Sequence, residues 1–138
     1  MELYEYCEKN PEAAKRFYAG MTAKTEMEKE AIVDAYDFSS IKTLVEVGGG
    51  EGKLLAAILK KNPNLTGILF DLPHVIEKAN NLLEENGVRD RCELKEGDIF
   101  KSIPNGGNAY LMKNFIEGWE DDRAAVVLQN CNRAMNQG

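Results

Sequence analysis

The chain has 138 residues, of which 43% are hydrophobic and 29% charged, with a formal net charge of −6. That length suits one domain with its own core. The acidic balance argues against nucleic acid as a partner, and no apolar run is long enough to span a membrane.

Residues 1–36 read as helical. The opening Met-Glu-Leu-Tyr-Glu-Tyr lacks the basic and apolar regions of a signal peptide. Asn10 suits a helix cap and Pro11 the first helical position. Gly20 is a point of interruption, and Thr25-x-x-Glu28 reads as a capping box opening a second helix with Met27, Ala31, Ile32 and Ala35. Phe17, Tyr18 and Met21 form an apolar cluster, either core packing or a wall for an aromatic substrate. Asp37-Phe-Ser-Ser40 is a turn.

The central stretch is Leu44-Val-Glu-Val-Gly-Gly-Gly-Glu-Gly52. Thr43–Val47 reads as a strand, and Gly48, Gly50 and Gly52 as a tight turn. A helix to Lys61 follows, carrying Leu54, Leu55, Ile58 and Leu59. Such a turn aims backbone N–H groups and a helix N-terminus at one point. Lys53 stands where a dinucleotide fingerprint needs its third glycine, and a P-loop fails at Val47 and Leu54. What stands is acid-x-G-x-G-x-G, with Glu46 as the acid. A carboxylate there repels a pyrophosphate and attracts a sulfonium, which suits S-adenosylmethionine (SAM). The alternative is an ordinary glycine-rich turn.

Asn62-Pro-Asn64 stops the helix, and Leu65–Phe70 is a second strand ending at Asp71, 23 residues after Gly48. A carboxylate near that offset suits both ribose hydroxyls, and a helix N-cap is the competing use. Pro73–Asn86 reads as a helix closed by Gly87, with His74 a surface residue. Arg91–Lys95 is a third strand. Gly97-Asp98-Ile99-Phe100 after it suits an adenine ring, or is simply a turn. Ala109–Met112 is a fourth strand ending at Lys113. A final helix buries Ala124, Val127, Leu128, Cys131 and Met135 on one face.

Cys7, Cys92 and Cys131 are scattered and odd in number, as for reduced thiols in a cytoplasmic protein. His74 is the only histidine and no CxxC occurs, so no metal site is expected. The element order predicts an α/β fold, a Rossmann-like, mostly parallel sheet with helices on its faces. Glu46, Gly48, Asp71, Asp98 and Lys113 then all lie at strand carboxyl ends, where such sheets bind ligands.

Together these motifs resemble the class I SAM-dependent O-methyltransferases of the caffeic-acid and hydroxyindole type. Residues 44–52 look like the family's glycine motif and Phe70-Asp-Leu-Pro-His-Val-Ile76 like its ribose motif. Gly97–Phe100 resembles its adenine motif, and Lys113 with Trp119 its catalytic segment. The resemblance implies linker helices over residues 1–40 and a SAM-binding domain over 41–138. It places Glu46, Gly48, Gly50, Asp71, Leu72, Asp98, Ile99 and Lys113 around SAM. Gly48 falls at the methionine portion, Asp71 at the ribose, and Asp98 and Ile99 at the adenine. Phe17, Met21 and Trp119 fall at the acceptor. The implied reaction is in-line transfer of a methyl group to a hydroxyl of a small aromatic acceptor, without a metal.

Two departures stand out. The family's Lys-x-x-x-His-Asp-Trp is here Lys113-Asn-Phe-Ile-Glu-Gly-Trp119, so Glu117 replaces the general base histidine. A free glutamate, near about 4.3, is the weaker base, and burial is what raises it. The alternative is a SAM-binding or interaction module that has lost methyl transfer. Second, about four of the family's seven strands are present and its N-terminal dimerisation domain is absent, as in a truncated chain. An unpaired apolar fourth strand invites self-association.

Overall fold

The computed structural model describes residues 2–135. Helix α1 spans Leu3–Lys9 and α2 spans Pro11–Ala35. Asn10 holds the N-cap position of α2, but its side chain makes no cap bond there. Its Nδ2 donates backwards to the Tyr6 carbonyl at 2.8 Å and closes α1. Gly20 does not interrupt α2, which runs unbroken for 25 residues. One glycine costs a helix only about 1 kcal/mol, and packing of Ile32 and Val33 against the core outweighs it. Ion pairs of Lys53 with Glu26 at 3.4 Å, and of Lys61 with Asp34, fasten α2 along the next helix.

Four strands follow: β1 (Thr43–Val47), β2 (Thr66–Asp71), β3 (Cys92–Glu96) and β4 (Ala109–Leu111). They form one parallel sheet in the order β3-β2-β1-β4. Helix α3 (Lys53–Lys61) links β1 to β2. The helix expected over 73–86 divides into α4 (Pro73–Ile76) and α5 (Ala79–Glu85). A 3-10 turn at Arg89–Arg91 leads into β3. After β4 come a second 3-10 turn, Ile116–Gly118, and α6 (Asp121–Met135).

Both sheet faces are covered, so apolar residues sit on each side of a strand. Leu44 and Leu69 face one core with Leu54, Leu55, Ile58, Leu59 and Leu83. Val45, Val47, Ile68 and Phe70 face a second with Val127 and Cys131. Helix α6 turns a slightly different side inward than its spacing suggests. Leu128 and Met135 are each 52% exposed, while Asn130 and Ala134 are buried. Asn130 takes the inner place because its Nδ2 donates to the Ile99 carbonyl at 2.7 Å.

The chain builds outward from β1 to β3, then returns to the other side of β1 for β4. That reversal opens a crevice at the carboxyl ends of β1 and β4. Arg91 holds the opposite end, donating to the carbonyls of Leu59, Asn62 and Leu65 at 2.7–3.1 Å where α3 passes into β2.

Leu55 is fully buried, and a Cβ on Gly67 would lie 3.1 Å from it. Leu55→Ala is expected to cost about 2–5 kcal/mol. Urea denaturation reads this as a lower midpoint at unchanged slope.

Candidate functional site

The site begins where β1 ends. Gly48 donates to the Phe70 carbonyl at 2.8 Å, still in the ladder. The backbone then turns through Gly48, Gly50 and Gly52 at φ of +71°, +63° and +86°. Side chains rarely tolerate such angles. Space is short as well: a Cβ at Gly48 would lie 2.7 Å from the Phe115 ring, and one at Gly49 2.4 Å from Leu69 and 2.7 Å from the Glu46 carboxyl. The turn delivers the Gly50 N–H to Asp71 Oδ2 at 2.9 Å.

Asp71 is not a helix cap. Leu72 holds the cap position of α4, without a side-chain bond. The second Asp71 oxygen accepts only the adjacent Leu72 N–H, at 2.7 Å. Burial raises the Asp71 pKa, opposed by the Leu72 and Gly50 N–H groups and by His74.

Glu46 lies under the turn on the α3 side, 3% exposed. Burial first, then the Asp71 charge, push its pKa up to about 8, against a hydrogen bond from the Leu55 N–H and the Lys113 charge. Its Oε2 has no partner among the described residues. Burial thus favours the neutral acid at Glu46, where the sequence suggested a charge facing a cationic ligand. Its carboxyl instead meets the first turn of α3, which has no side-chain cap of its own.

After β3, Asp98 Oδ1 accepts the Phe100 N–H at 2.9 Å, and its carbonyl accepts those of Lys101 and Ser102. This loop is held to α6 by Asn130 through Ile99. After β4, Lys113 Nζ lies 3.0 Å from Glu28 Oε2 and 3.5 Å from Thr25 Oγ1, with its side chain 13% exposed. Thr25 and Glu28 thus open no helix. They receive the site lysine, whose hydrogen bond and charge hold the Glu28 pKa down.

Asn114 sits at φ +50° and swings Phe115 over Gly48. Glu117 lies in the 3-10 turn. It is exposed and has no hydrogen bond or ion pair among the described residues. Trp119 stacks on Tyr4, with ring centroids 4.5 Å apart, and meets Phe100 edge-on at 4.8 Å. Phe17 packs edge-on against Tyr4 at 5.8 Å and Tyr18 at 5.5 Å. Phe17 and Met21 are half-exposed and belong to neither core.

The structure thus brings Gly48, Gly50, Asp71, Leu72, Asp98, Ile99, Lys113, Glu117 and Trp119 to one edge of the sheet, with Glu46 beneath. Three buried polar atoms lack partners among the described residues: Glu46 Oε2, Asn114 Nδ2 and Trp119 Nε1. All three belong to the segments that form this edge. Buried polar atoms are rarely left unpaired, so a polar ligand suits the place. Sequence reasoning missed Tyr4, Asn130 and Arg123. Tyr4 gives no local signal, since it reaches Trp119 only through the tertiary fold.

Comparison with known proteins places this edge in context. The family model of the O-methyltransferase domain matches residues 1–138. The chain belongs to that family. It is 43% identical to the phenazine O-methyltransferase PhzM of Lysobacter antibioticus, over 96% of this chain and 39% of that protein. It is 36% identical to the aclacinomycin 10-hydroxylase RdmB of Streptomyces purpurascens, over 91% of this chain and 33% of that protein. Among solved structures, the O-methyltransferase NcsB1 from neocarzinostatin biosynthesis aligns with a TM-score of 0.86 at 27% identity, over 97% of this chain and 41% of that one. That structure is a complex with SAM and 2-hydroxy-5-methyl naphthoic acid. The chain spans a third to two fifths of the length of these relatives.

For this O-methyltransferase domain, Glu46 makes stability pH-dependent. Its folded pKa of about 8 lies above its ordinary 4.5. That contribution is complete below pH 4.5 and is lost as pH rises through 8. The raised Asp71 pKa acts in the same direction. The melting temperature is expected to fall across this window, and Glu46→Gln to flatten the fall. An unchanged slope in the variant contradicts this.

Proposed function

We propose that this chain is the cofactor-binding part of a SAM-dependent O-methyltransferase acting on a hydroxyl of a small, planar aromatic acceptor. The observation that carries the reading is the Gly50–Asp71 hydrogen bond, which couples the glycine turn to a half-buried carboxyl group beside the strand-order reversal. Asp71 accepts the ribose hydroxyls, with Leu72 beside it. Asp98 and Ile99 bind the adenine, while Gly48 and Gly50 let the cofactor approach the backbone. Lys113, anchored by Glu28, keeps positive charge at the end of β4. Glu46 supports the turn from below.

The phenazine in the name of PhzM and the naphthoic acid bound to NcsB1 favour polycyclic hydroxyarenes as acceptors, in keeping with the rings of Phe17, Phe115 and Trp119. When bound, SAM supplies an electrophilic methyl group on sulfur. The residues of the chain orient the two reactants, a contribution that can reach about 7–11 kcal/mol. Glu117 receives the acceptor proton, aided by access to water. The edge strand β4 pairs only with β1 among the described strands, which favours self-association of a cytoplasmic protein through that edge.

A second reading, a SAM-binding module without methyl transfer, draws on the exposure of Glu117 and on the hydroxylase named among the relatives. Glu117→His separates the two. Activity that falls in the variant supports Glu117 as the working base. Activity that appears only in the variant supports the second reading.

Calorimetric titration with SAM and S-adenosylhomocysteine tests the cofactor site. Saturable binding is expected, weakened about tenfold or more by Asp71→Ala, which removes charge-assisted hydrogen bonds of about 1.5–3 kcal/mol each. Asp71→Asn controls for loss of the turn. Absence of binding by a chain that melts cooperatively refutes the reading.

A further inference from the structure

Helix α1 is tied to the segment after β4 by several independent contacts. Glu2 Oε1 accepts the Glu120 N–H at 2.9 Å. Glu2 Oε2 and Glu5 Oε1 lie 3.0 and 3.2 Å from Arg123 Nη1. Arg123 in turn covers the Phe100 ring at 4.1 Å and the Trp119 ring at 4.9 Å. Between these polar ties the Tyr4 ring stacks on Trp119 and packs against Phe115 and Phe17.

Gly118 is what admits that ring. A Cβ at this position would stand 2.3 Å from Tyr4 Cε2. The Lys-x-x-x-His-Asp-Trp pattern has an aspartate there, so an aspartate and Tyr4 in its present place exclude one another. The departures at Glu117 and Gly118 therefore belong to one local arrangement with Tyr4.

The Tyr4 and Tyr18 hydroxyls make no hydrogen bond among the described residues. Both phenols lie within electrostatic reach of Asp71, and Tyr4 also of Glu117. Burial raises both, Tyr4 to about 12, which keeps them protonated and able to donate near neutral pH. Two O–H donors without a partner among the described residues thus stand among aromatic rings, Tyr4 against Trp119, Phe115 and Phe17, and Tyr18 against Phe17.

We propose that Tyr4 is a specificity-determining residue of the acceptor site: Gly118 admits its ring over the 116–118 turn, and its hydroxyl, with that of Tyr18, donates to the oxygen of a planar phenol. This rests on the methyltransferase reading above.

The test uses the whole chain, saturated with S-adenosylhomocysteine and titrated with caffeic acid and with its fully O-methylated counterpart, 3,4-dimethoxycinnamic acid. Tyr4→Phe is expected to keep cofactor affinity and the emission of Trp119, the only tryptophan. It should weaken caffeic acid about five- to tenfold, the worth of one hydrogen bond, and leave the dimethoxy compound unchanged. Gly118→Ala should displace the Tyr4 ring, shift Trp119 emission to the red and weaken caffeic acid while cofactor binding persists. Equal affinity of Tyr4→Phe and the parent for caffeic acid overturns the proposal, as does a cofactor-saturated parent that binds no caffeic acid. Failure to bind the cofactor at all is seen in the first titration and removes the methyltransferase reading itself.

Discussion

The hydrogen bond from Gly50 to Asp71 depends on a backbone path that L side chains rarely follow. Three residues at positive φ fold the chain back within five positions, and Gly49 between them has no room for a Cβ. The path fixes more than the turn. It sets where α3 begins, since Gly52 is its N-cap, and it leaves the gap over Gly48 that Phe115 fills. Through Phe115, the segment after β4 is positioned by the turn after β1. The register of β1 against β2, pairing Val47 with Phe70, brings Asp71 level with the turn. A shift of one residue there would flip every side chain of the strand to the opposite face.

Two carboxyl groups sit close together at this point, and their environments divide the labour. Glu46 is sealed beneath the turn, with a burial penalty larger than the one hydrogen bond and one distant cation can offset. Asp71 is less enclosed and accepts two backbone N–H groups. Mutual repulsion raises whichever acid is easier to neutralise, which here is Glu46. Burial raises both acids, and Asp71 is held back by the two N–H groups it accepts.

The parts of this arrangement that depend on neighbours in sequence were legible in the sequence. The alternate glycines, the apolar strands and the spacing of Asp71 from Gly48 all follow from local periodicity. The parts that depend on distant partners were not. Thr25 and Glu28 have capping-box spacing, yet α2 continues through them and the pair serves Lys113, 85 or more residues away in sequence. Asn130 is polar by composition and buried in fact, because the Ile99 carbonyl waits for it. Glu46 is charged by composition, and only the depth of its burial makes it neutral. Tyr4 is a tyrosine in an N-terminal helix until Gly118, far along the chain, makes room for it.

The exposure of Glu117 bears on what kind of acceptor such a site can use. A positioned general base typically contributes about 10²–10⁴-fold, and the groups that would orient one are absent around Glu117 among the described residues. Methyl transfer to a weakly acidic alcohol would need that contribution. A phenol already partly ionised near neutral pH would not. What a phenolate needs is a donor for its oxygen and a flat, apolar surface for its ring. Tyr4 and Tyr18 offer protonated hydroxyls, and Phe17, Phe115 and Trp119 offer the surface. Stabilising a phenolate by donation also selects the more acidic hydroxyl when an acceptor carries several. In the proposed acceptor site, the Tyr4 and Tyr18 hydroxyls would hold the oxygen of such a phenolate, and Glu117 would take the proton of an acceptor not yet ionised.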